Sequence, residues 1–169
     1  LASPLRTEVF VHEQKVPAEM EWDHEDATAL HAVALNRMGM PLATGRLLQH
    51  APGVARIGRM AVDRSVRGAQ WGRVLLNTLM DAARARGDQQ VQLHAQCSAQ
   101  GFYQRAGFAV AGEPYQEAGI AHVLMARVLA DAAAAQARLK RAGSGSFCFL
   151  PGPVQPWLEG LYVGGIDGR

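Results

Sequence analysis

The sequence predicts one α/β domain whose central sheet is mixed but mostly antiparallel and is flanked by helices. Three apolar runs joined by short turns occupy residues 31–63, and strands connected this closely pair antiparallel. The apolar period then changes to about 3.6 in residues 72–86 and returns to two in residues 91–96. A strand, a helix and a strand in this order predict a right-handed crossover, which places strands 55–63 and 91–96 side by side and parallel.

Size, charge and cysteine content narrow the class of protein. The chain has 169 residues, of which 49% are apolar, enough for one packed domain. A net charge of +2 gives no general attraction to nucleic acid or anionic membrane, and no apolar run is long enough to span a bilayer. Cys97 and Cys148 are too few for a disulfide framework and lack metal-site spacing. No signal peptide is visible, so we expect a cytoplasmic protein without nucleic-acid or membrane partners.

The N-terminal segment is predicted to be a helix followed by an acidic loop. Ser3 and Pro4 are typical of an N-cap and a first helical position, and the helix should extend to about Gln14. Pro17 ends it. Residues 18–28, AEMEWDHEDAT, form the acidic loop.

The middle of the chain alternates strands with helices. The predicted strands are 31–36, 42–50, 55–63, 91–96, 108–112 and 119–129. In the predicted helix 72–86, the apolar positions 76, 79, 80 and 83 share one face, and Gly87 is typical of a C-cap. Ser98 is the predicted cap of a shorter helix that continues to Arg105 and ends at Gly107.

Composition divides the chain into three parts. Residues 1–130 form the domain, 131–142 an alanine-rich helix, and 143–169 a tail rich in Gly, Pro and aromatics whose role is unknown. The tail aromatics include Phe147 and Trp157, and they suggest an arm that docks on the domain or on a second subunit of a homodimer. A disordered or artificial tail is the alternative.

The stretch RGAQWG (67–72), between a strand and a helix start, has the properties of an anion site. Free backbone N–H groups and the helix dipole favour negative charge there. Gly68 and Gly72 allow a ligand to approach the backbone, and Arg67 and Arg73 can add charge-assisted hydrogen bonds to a pyrophosphate. The stretch lacks both the nucleoside triphosphate loop and the three-glycine dinucleotide fingerprint. A tight turn with solvated arginines is the alternative.

Three separated motifs carry a family resemblance. RMAV (59–62) is followed by RGAQWG (67–72), and FYQRAGF (102–108) lies downstream. In this order they resemble the strand, the pyrophosphate loop and the Tyr-x-x-x-Gly-Phe element of the GNAT superfamily of acetyl-CoA-dependent N-acetyltransferases. The resemblance covers about residues 5–129.

Further segments resemble one subgroup of that superfamily, the ElaA-like proteins. They are VFVHEQKVPAEMEWDHED (9–26), TGRL (44–47), HAQ (94–96) and EAGIAHVLM (117–125). The chain departs from the family pattern in two respects. Gln70 stands where the family commonly has glycine, so we expect the loop to avoid glycine-only backbone angles there. The family's first strand would precede residue 1.

The resemblance implies a GNAT-like fold in which acetyl-CoA lies where the parallel strands splay apart. Backbone groups of Met60 and Val62 would pair with the pantetheine arm, and N–H groups across residues 67–73 would bind the pyrophosphate. Gln96 stands where relatives often have an asparagine that contacts the cosubstrate. The residues expected to bind acetyl-CoA are Met60, Ala61, Val62, Arg67, Gly68, Ala69, Gln70, Trp71, Gly72, Arg73 and Gln96.

Acetyl transfer to an amine needs a neutral amine, and the departing thiolate benefits from a proton. By resemblance, Tyr103 is the general acid, and a phenol with a pKa near 10 suits that role. The alternative is that Tyr103 packs beside Phe102.

The base is less clearly marked. Six acids crowd into residues 13–26, either as a negative rim that attracts a cationic amine and includes a base, with Glu21 as our candidate, or as a solvated acidic loop. His94, like His31 and His122, lies on a predicted strand and is a second candidate, although strand histidines are more often structural.

For other residues near these motifs, a structural role is favoured over metal binding, substrate contact or covalent catalysis. His24, Glu25, Asp26 and His31 match no standard ligand spacing, so we expect no metal. A core plug is favoured over substrate stacking for Trp22. A buried apolar role is favoured over a covalent acetyl-cysteine for Cys97.

The sequence therefore predicts an acyltransferase that moves the acetyl group of acetyl-CoA to a primary amine of a small molecule or peptide by direct attack. The alternative is a CoA-binding module without catalysis, which would need the same loop but neither Tyr103 nor the acidic segment.

Overall fold

Eight strands form one sheet in the computed structural model, which describes residues 2–129 and 147–150. The strands are β1 (Leu30–Leu35), β2 (Pro41–Ala51), β3 (Val54–Val62), β4 (Gln90–Gln96), β5 (Ala109–Val110), β6 (Tyr115–Glu117), β7 (Ile120–Val128) and β8 (Phe147–Leu150). The helices are α1 (Ala2–Arg6), which continues as a π-helix over Thr7–Glu13, α2 (Ala18–Glu21), α3 (Trp71–Arg86) and α4 (Gln100–Arg105). None of the helices within these ranges is long and apolar enough to cross a membrane.

The sheet is mixed and mostly antiparallel, as predicted. Its order is β5-β7-β4-β3-β2-β1-β8, with β6 paired to β7. The pair β3–β4 is parallel, and the other pairs among the described strands are antiparallel. Helix α3 makes the crossover between β3 and β4, which is the arrangement that the change of period predicted.

The parallel pair separates halfway along its length. β3 and β4 are in register from Val54↔Gln90 to Ile57↔Leu93, and the pairing ends there. Immediately beyond, β3 contains a bulge. Gly58 lies opposite Arg46 and Ala61 lies opposite Thr44, so β3 has one residue more than β2 between these two pairs. Such a bulge bends its strand and increases its twist, so β3 leaves β4 at this point. A cleft opens between the C-terminal halves of the two strands.

The predicted helical face is buried. In α3, Leu76, Leu79, Met80 and Ala83 are each at most 1% exposed and pack in the core cluster against the sheet. Gly87 ends the helix with φ 98°, in the left-handed conformation of a C-cap. Burial of each of these leucine and methionine side chains stabilises the domain by about 1.5–3 kcal/mol.

The N-terminal third differs from the prediction in two respects. Ser3 lies inside α1 rather than at its cap, because the helix already begins at Ala2. The segment 18–28 is not an irregular loop, since it contains α2 and a 3₁₀ turn at His24–Ala27 whose cap is Asp23.

Two features of the C-terminal half also differ. Ser98 makes no cap, because a 3₁₀ turn over Cys97–Ala99 precedes α4 and Ala99 takes the cap position. Strand β6 was not predicted. It forms a hairpin with β7 through Ala118 and Gly119, whose φ values of 52° and 73° suit a tight two-residue turn.

The tail contributes one element to the sheet. Strand β8 pairs antiparallel with β1, with His31 opposite Leu150 and Ala34 opposite Phe147. The alanine-rich helix predicted for 131–142 lies outside the described residues, as do residues 151–169.

Candidate active site

Two adjoining cavities follow the splay of the sheet. The first, the cleft cavity, has a volume of about 380 Å³ and lies between the ends of β3 and β4, the N-terminal segment and the β6–β7 hairpin. The second, the loop cavity, has a volume of about 390 Å³ and lies between residues 66–73 and α4. Val62 and Arg67 line both cavities, so the two form a continuous groove. An elongated ligand could occupy both.

The loop cavity has the chemistry of an anion site. The first N–H groups of α3 have no acceptor within the helix, and the helix dipole adds partial positive charge. Arg67, Arg73 and Arg105 line the same cavity. Arg105 was missed by the sequence reasoning, although it lies in the FYQRAGF motif and α4 carries it to the loop. Three guanidinium groups beside a helix N-terminus suit a pyrophosphate.

Gln70 takes a left-handed conformation that favours glycine but is open to other residues, so its angles are not glycine-only. Its φ is 68° and its ψ is 2°, a left-handed conformation immediately before α3. Gly68, with φ 87°, provides a second left-handed residue in the same turn. The loop therefore keeps a sharp turn without glycine at position 70, at a cost of about 1 kcal/mol of backbone strain.

Two other loop residues are engaged within the protein. The N–H of Ala69 donates to the carbonyl of Val66 at 3.2 Å, and Ala69 lines neither cavity. This donor is used by the turn itself. Arg67 donates to the carbonyl of Val62 at 3.0 Å and to the Glu13 carboxylate at 2.8 Å.

Tyr103 lines the cleft cavity beside Met60. Its hydroxyl lies 3.9 Å from the Met60 sulfur, and its ring packs edge-on against Phe102 and Phe108, with centroids 5.0 and 6.0 Å away. Burial raises the pKa of the Tyr103 phenol to about 12. Tyr103 therefore both packs beside Phe102 and places a protonated hydroxyl in the cavity wall.

Glu21 also lines the cleft cavity, where its side chain is 2% exposed. Arg6 donates to its Oε1 at 2.5 Å, and Arg59 Nε lies 3.3 Å from its Oε2. Burial raises the pKa of this carboxyl, although the hydrogen bond and charge of Arg6 oppose the shift. Each oxygen of the candidate base is thus already bound by an arginine.

Arg59 owes its position to the bulge in β3. Its φ is 52°, which is uncommon for a residue with a side chain. From there it donates to the carbonyls of Met20 and Glu21, each at 3.1 Å, and to Asp23 at 3.2 Å. The bulge that opens the cleft therefore also fixes the end of α2.

The acidic segment is largely ion-paired within the protein, although Glu19 is exposed. Asp23 and Glu25 bind Arg46, and Asp26 binds Arg46 together with Arg6. Burial alone would raise the pKa of Asp26, but hydrogen bonds from the two guanidinium groups outweigh it and lower the pKa to about 2. The sequence did not predict these pairs, because the arginines lie far away in the chain. The role of Glu21 as a base stays a prediction.

His94 lines the cleft cavity from β4, and its ring is exposed. The hydroxyl of Tyr115 lies 2.6 Å from its Nδ1. Partial burial and the charge of Arg56 lower the pKa of His94, so the imidazole is neutral at pH 7. His31 instead bonds the carbonyl of Asp26 at 2.9 Å, as a structural histidine would.

The remaining candidate residues, Trp22 and Cys97, line neither cavity. Trp22 is 40% exposed and stacks on Arg6, whose guanidinium carbon lies 4.3 Å from the ring centroid, so the prediction of a core plug was wrong. Cys97 packs against the core and lines neither cavity. Over residues 2–129 and 147–150, no three His, Cys, Asp or Glu side chains gather as metal ligands would.

The fold and the groove together define a class of protein. A parallel strand pair that splays over a cavity, continuous with an anion-binding loop at a helix start, is the architecture expected of an acyltransferase that uses acyl-CoA. Residues 2–129 match the family described as acetyltransferase (GNAT) domain. The chain belongs to this GNAT acetyltransferase family.

Individual relatives agree. The chain is 36% identical over 132 residues to the protein ElaA of Escherichia coli, an alignment that covers 76% of this chain and 86% of ElaA. The crystal structure of E. coli ElaA superposes with a TM-score of 0.68 over 75% of this chain and 86% of that one. An acyl-CoA N-acyltransferase from Pseudomonas aeruginosa is 37% identical, with a TM-score of 0.67 over 75% of this chain and 87% of that one. The predicted family and enzyme class are confirmed, and the family implies an acyl-CoA cosubstrate and an acceptor.

Proposed function

We propose that the protein transfers the acetyl group of acetyl-CoA to a primary amine of a small molecule or peptide by direct attack. The observation that carries this proposal is the position of the Tyr103 hydroxyl in the wall of the cleft cavity, where the parallel strands separate.

The groove fits the cosubstrate. Arg73, Arg105 and the first N–H groups of α3 would hold the pyrophosphate in the loop cavity. The edge of β3 from Met60 to Val62 would hold the pantetheine arm in the cleft cavity. When bound, acetyl-CoA would supply a thioester carbonyl to the acceptor amine.

Tyr103 would act as the general acid. It is protonated throughout the neutral range, as an ordinary phenol is, and so carries a proton for the departing sulfur. The pKa of about 12 makes it a weaker acid than an exposed tyrosine, so the transfer depends on its position beside the sulfur. Direct attack is supported by Cys97, because a covalent route needs a nucleophile in the cavity and Cys97 lines neither cavity.

Of the two candidates for the general base, His94 is stronger than Glu21. The tautomer in which its Nδ1–H donates to Tyr115 leaves the Nε2 lone pair available for the proton of the attacking amine. Glu21 is the weaker one because its carboxylate oxygens are bound by Arg6 and Arg59. We infer that Glu21 instead holds the floor of the cavity in place.

Thiol release from acetyl-CoA with a panel of primary amines tests the proposal. Tyr103→Phe should lower kcat by about 10²- to 10⁴-fold while CoA still binds, because only proton donation is lost. Equal turnover in the variant and the parent would exclude the acid role. If acetyl-CoA binds and no amine stimulates thiol release, the protein is a CoA-binding module without catalysis.

Two further expectations accompany the proposal. We infer a cytoplasmic location from the two cysteines, and a homodimer stays a prediction. Light scattering of a chain truncated after Ala142 would show whether the tail takes part in association.

A further inference from the structure

Only some of the charged side chains that line the cleft cavity have an ion-pair partner. Its charged lining residues, besides the histidines, are Glu21, Arg59, Arg67 and Glu117. The first two bind each other, and Arg67 binds Glu13. Glu117 makes no hydrogen bond or ion pair through its carboxylate with any residue that the structure describes, and it is exposed. The cavity wall thus carries one carboxylate without a hydrogen-bonded or ion-paired partner, and the charge of Arg56 also acts on the neighbouring His94 and Tyr115.

A rigid hairpin holds this carboxylate. Glu117 ends β6 and lies opposite Ile120 across the Ala118–Gly119 turn. Tyr115, two residues earlier, shares its face of the strand. The Tyr115 ring stacks on His122 with centroids 5.7 Å apart and planes at 24°, and its hydroxyl bonds His94. Glu117 is therefore an unpaired carboxylate on an ordered hairpin in the cavity wall, where it can attract a cation.

The reacting amine is not that cation. It must be neutral when it attacks, and a carboxylate close to it would hold it as an ammonium ion and oppose the reaction. The charge that Glu117 binds therefore belongs to another part of the acceptor.

We propose that Glu117, on the hairpin that Tyr115 holds against His94 and His122, forms a cation subsite that selects acceptors with a positive charge in addition to the reacting amine. Linear diamines and basic amino acid amides are the simplest members of this class. This inference rests on the proposed amine acetylation and names the substrate class for it.

The experiment compares diamines of increasing length with monoamines of equal length. The parent protein should favour the best diamine in kcat/KM by about 3- to 10-fold, and Glu117→Gln should remove most of this preference. Glu113→Gln is the matched control, because it removes the same charge from the segment before β6 but does not line the cavity. High salt should reduce the preference of the parent as well.

Calorimetric titration of the diamine into the CoA-bound protein separates the two proposals. If the diamine binds, Glu117→Gln weakens this binding and no amine stimulates thiol release, the cation subsite is supported and the proposed amine acetylation is excluded. Acetylation without preference for a second charge, unchanged in Glu117→Gln, would overturn the subsite and leave amine acetylation in place. Absence of both diamine binding and acetylation would overturn both.

Discussion

The side-chain amide of Gln96 donates a 2.8 Å hydrogen bond to the side-chain oxygen of Gln14. This contact joins the end of β4 to the segment that follows the π-helix. Glu13, the last residue of the π-helix, binds Arg67 at 2.8 Å. Two adjacent residues therefore engage two side chains expected to bind acetyl-CoA, one on each side of the cleft. If both side chains bind acetyl-CoA, the cosubstrate competes with both contacts.

Glu13→Gln should strengthen CoA binding, because it frees the Arg67 guanidinium for the pyrophosphate. The Arg67 side chain is 43% exposed, and exposed ion pairs contribute about 0.2–1 kcal/mol, so we expect a gain in affinity of at most about fivefold. Calorimetry at low and at high salt measures it. Glu8→Gln, which breaks an exposed pair with His12, is the control. Weaker CoA binding in Glu13→Gln would mean that Glu13 orients Arg67 instead of competing for it.

The pH dependence of turnover should identify the base. If His94 accepts the proton, kcat/KM declines only below the usual histidine range, because burial and the charge of Arg56 lower the pKa of His94. His94→Gln should lower kcat by about 10²-fold or more and remove this acidic limb. Glu21→Gln should instead lower the melting temperature, since it leaves Arg6 without its buried partner. An acidic limb that persists in His94→Gln but vanishes in a folded Glu21→Gln would assign the base to Glu21.

Gln70→Gly should stabilise the protein relative to Gln70→Ala. Both changes remove the exposed side chain, but only glycine relieves the left-handed backbone at φ 68°. We expect a difference in the free energy of unfolding of about 1 kcal/mol, measured by urea denaturation. Equal stability of the two variants would show that the loop holds this conformation without strain.

The spacing of apolar residues predicted those strands and helices that are long enough to show a periodic pattern. Strand β4 followed from alternation over residues 91–96, and α3 from apolar positions on one helical face. Strand β6 has three residues, too few for any period, and its only local signal is the Gly119 turn. The glycines and arginines of residues 67–73 indicated an anion loop, and the family motif indicated Tyr103; periodicity could have indicated neither.

Long-range ion pairs were beyond the reach of such patterns. Arg6 meets Glu21 and Asp26, which are 15 and 20 residues away, and Arg46 lies 20 residues or more from its acidic partners. In the sequence these arginines look like ordinary surface charges, and the acids look like a solvated run. Only the packing of the N-terminal segment on β2 and β3 brings the opposite charges together.

Asp26 is the centre of this ion-pair network. Arg6 and Arg46 both donate to its Oδ1, at 2.8 and 3.0 Å, and Arg6 also reaches Oδ2 at 3.2 Å. Its pKa falls from 3.8 to about 2 on folding because these hydrogen bonds outweigh its burial. A lowered carboxyl pKa stabilises the folded state above the unfolded-state pKa, and the stabilisation is lost as the pH falls toward the folded-state value. The shift corresponds to about 2 kcal/mol at pH 7, and roughly half of that persists near pH 3.

Asp26→Asn should therefore lower the free energy of unfolding by about 2–4 kcal/mol at pH 7, since it also leaves two buried arginines short of a partner. The deficit should shrink steadily between pH 4 and pH 2, where the parent loses the same charge. Urea denaturation at pH 7, 5, 3 and 2 measures both curves. Glu19→Gln removes a charge from an exposed side chain of the same segment and should change little at any of these values. A deficit in Asp26→Asn as large at pH 2 as at pH 7 would mean that the side chain stabilises the fold by packing and not by its charge.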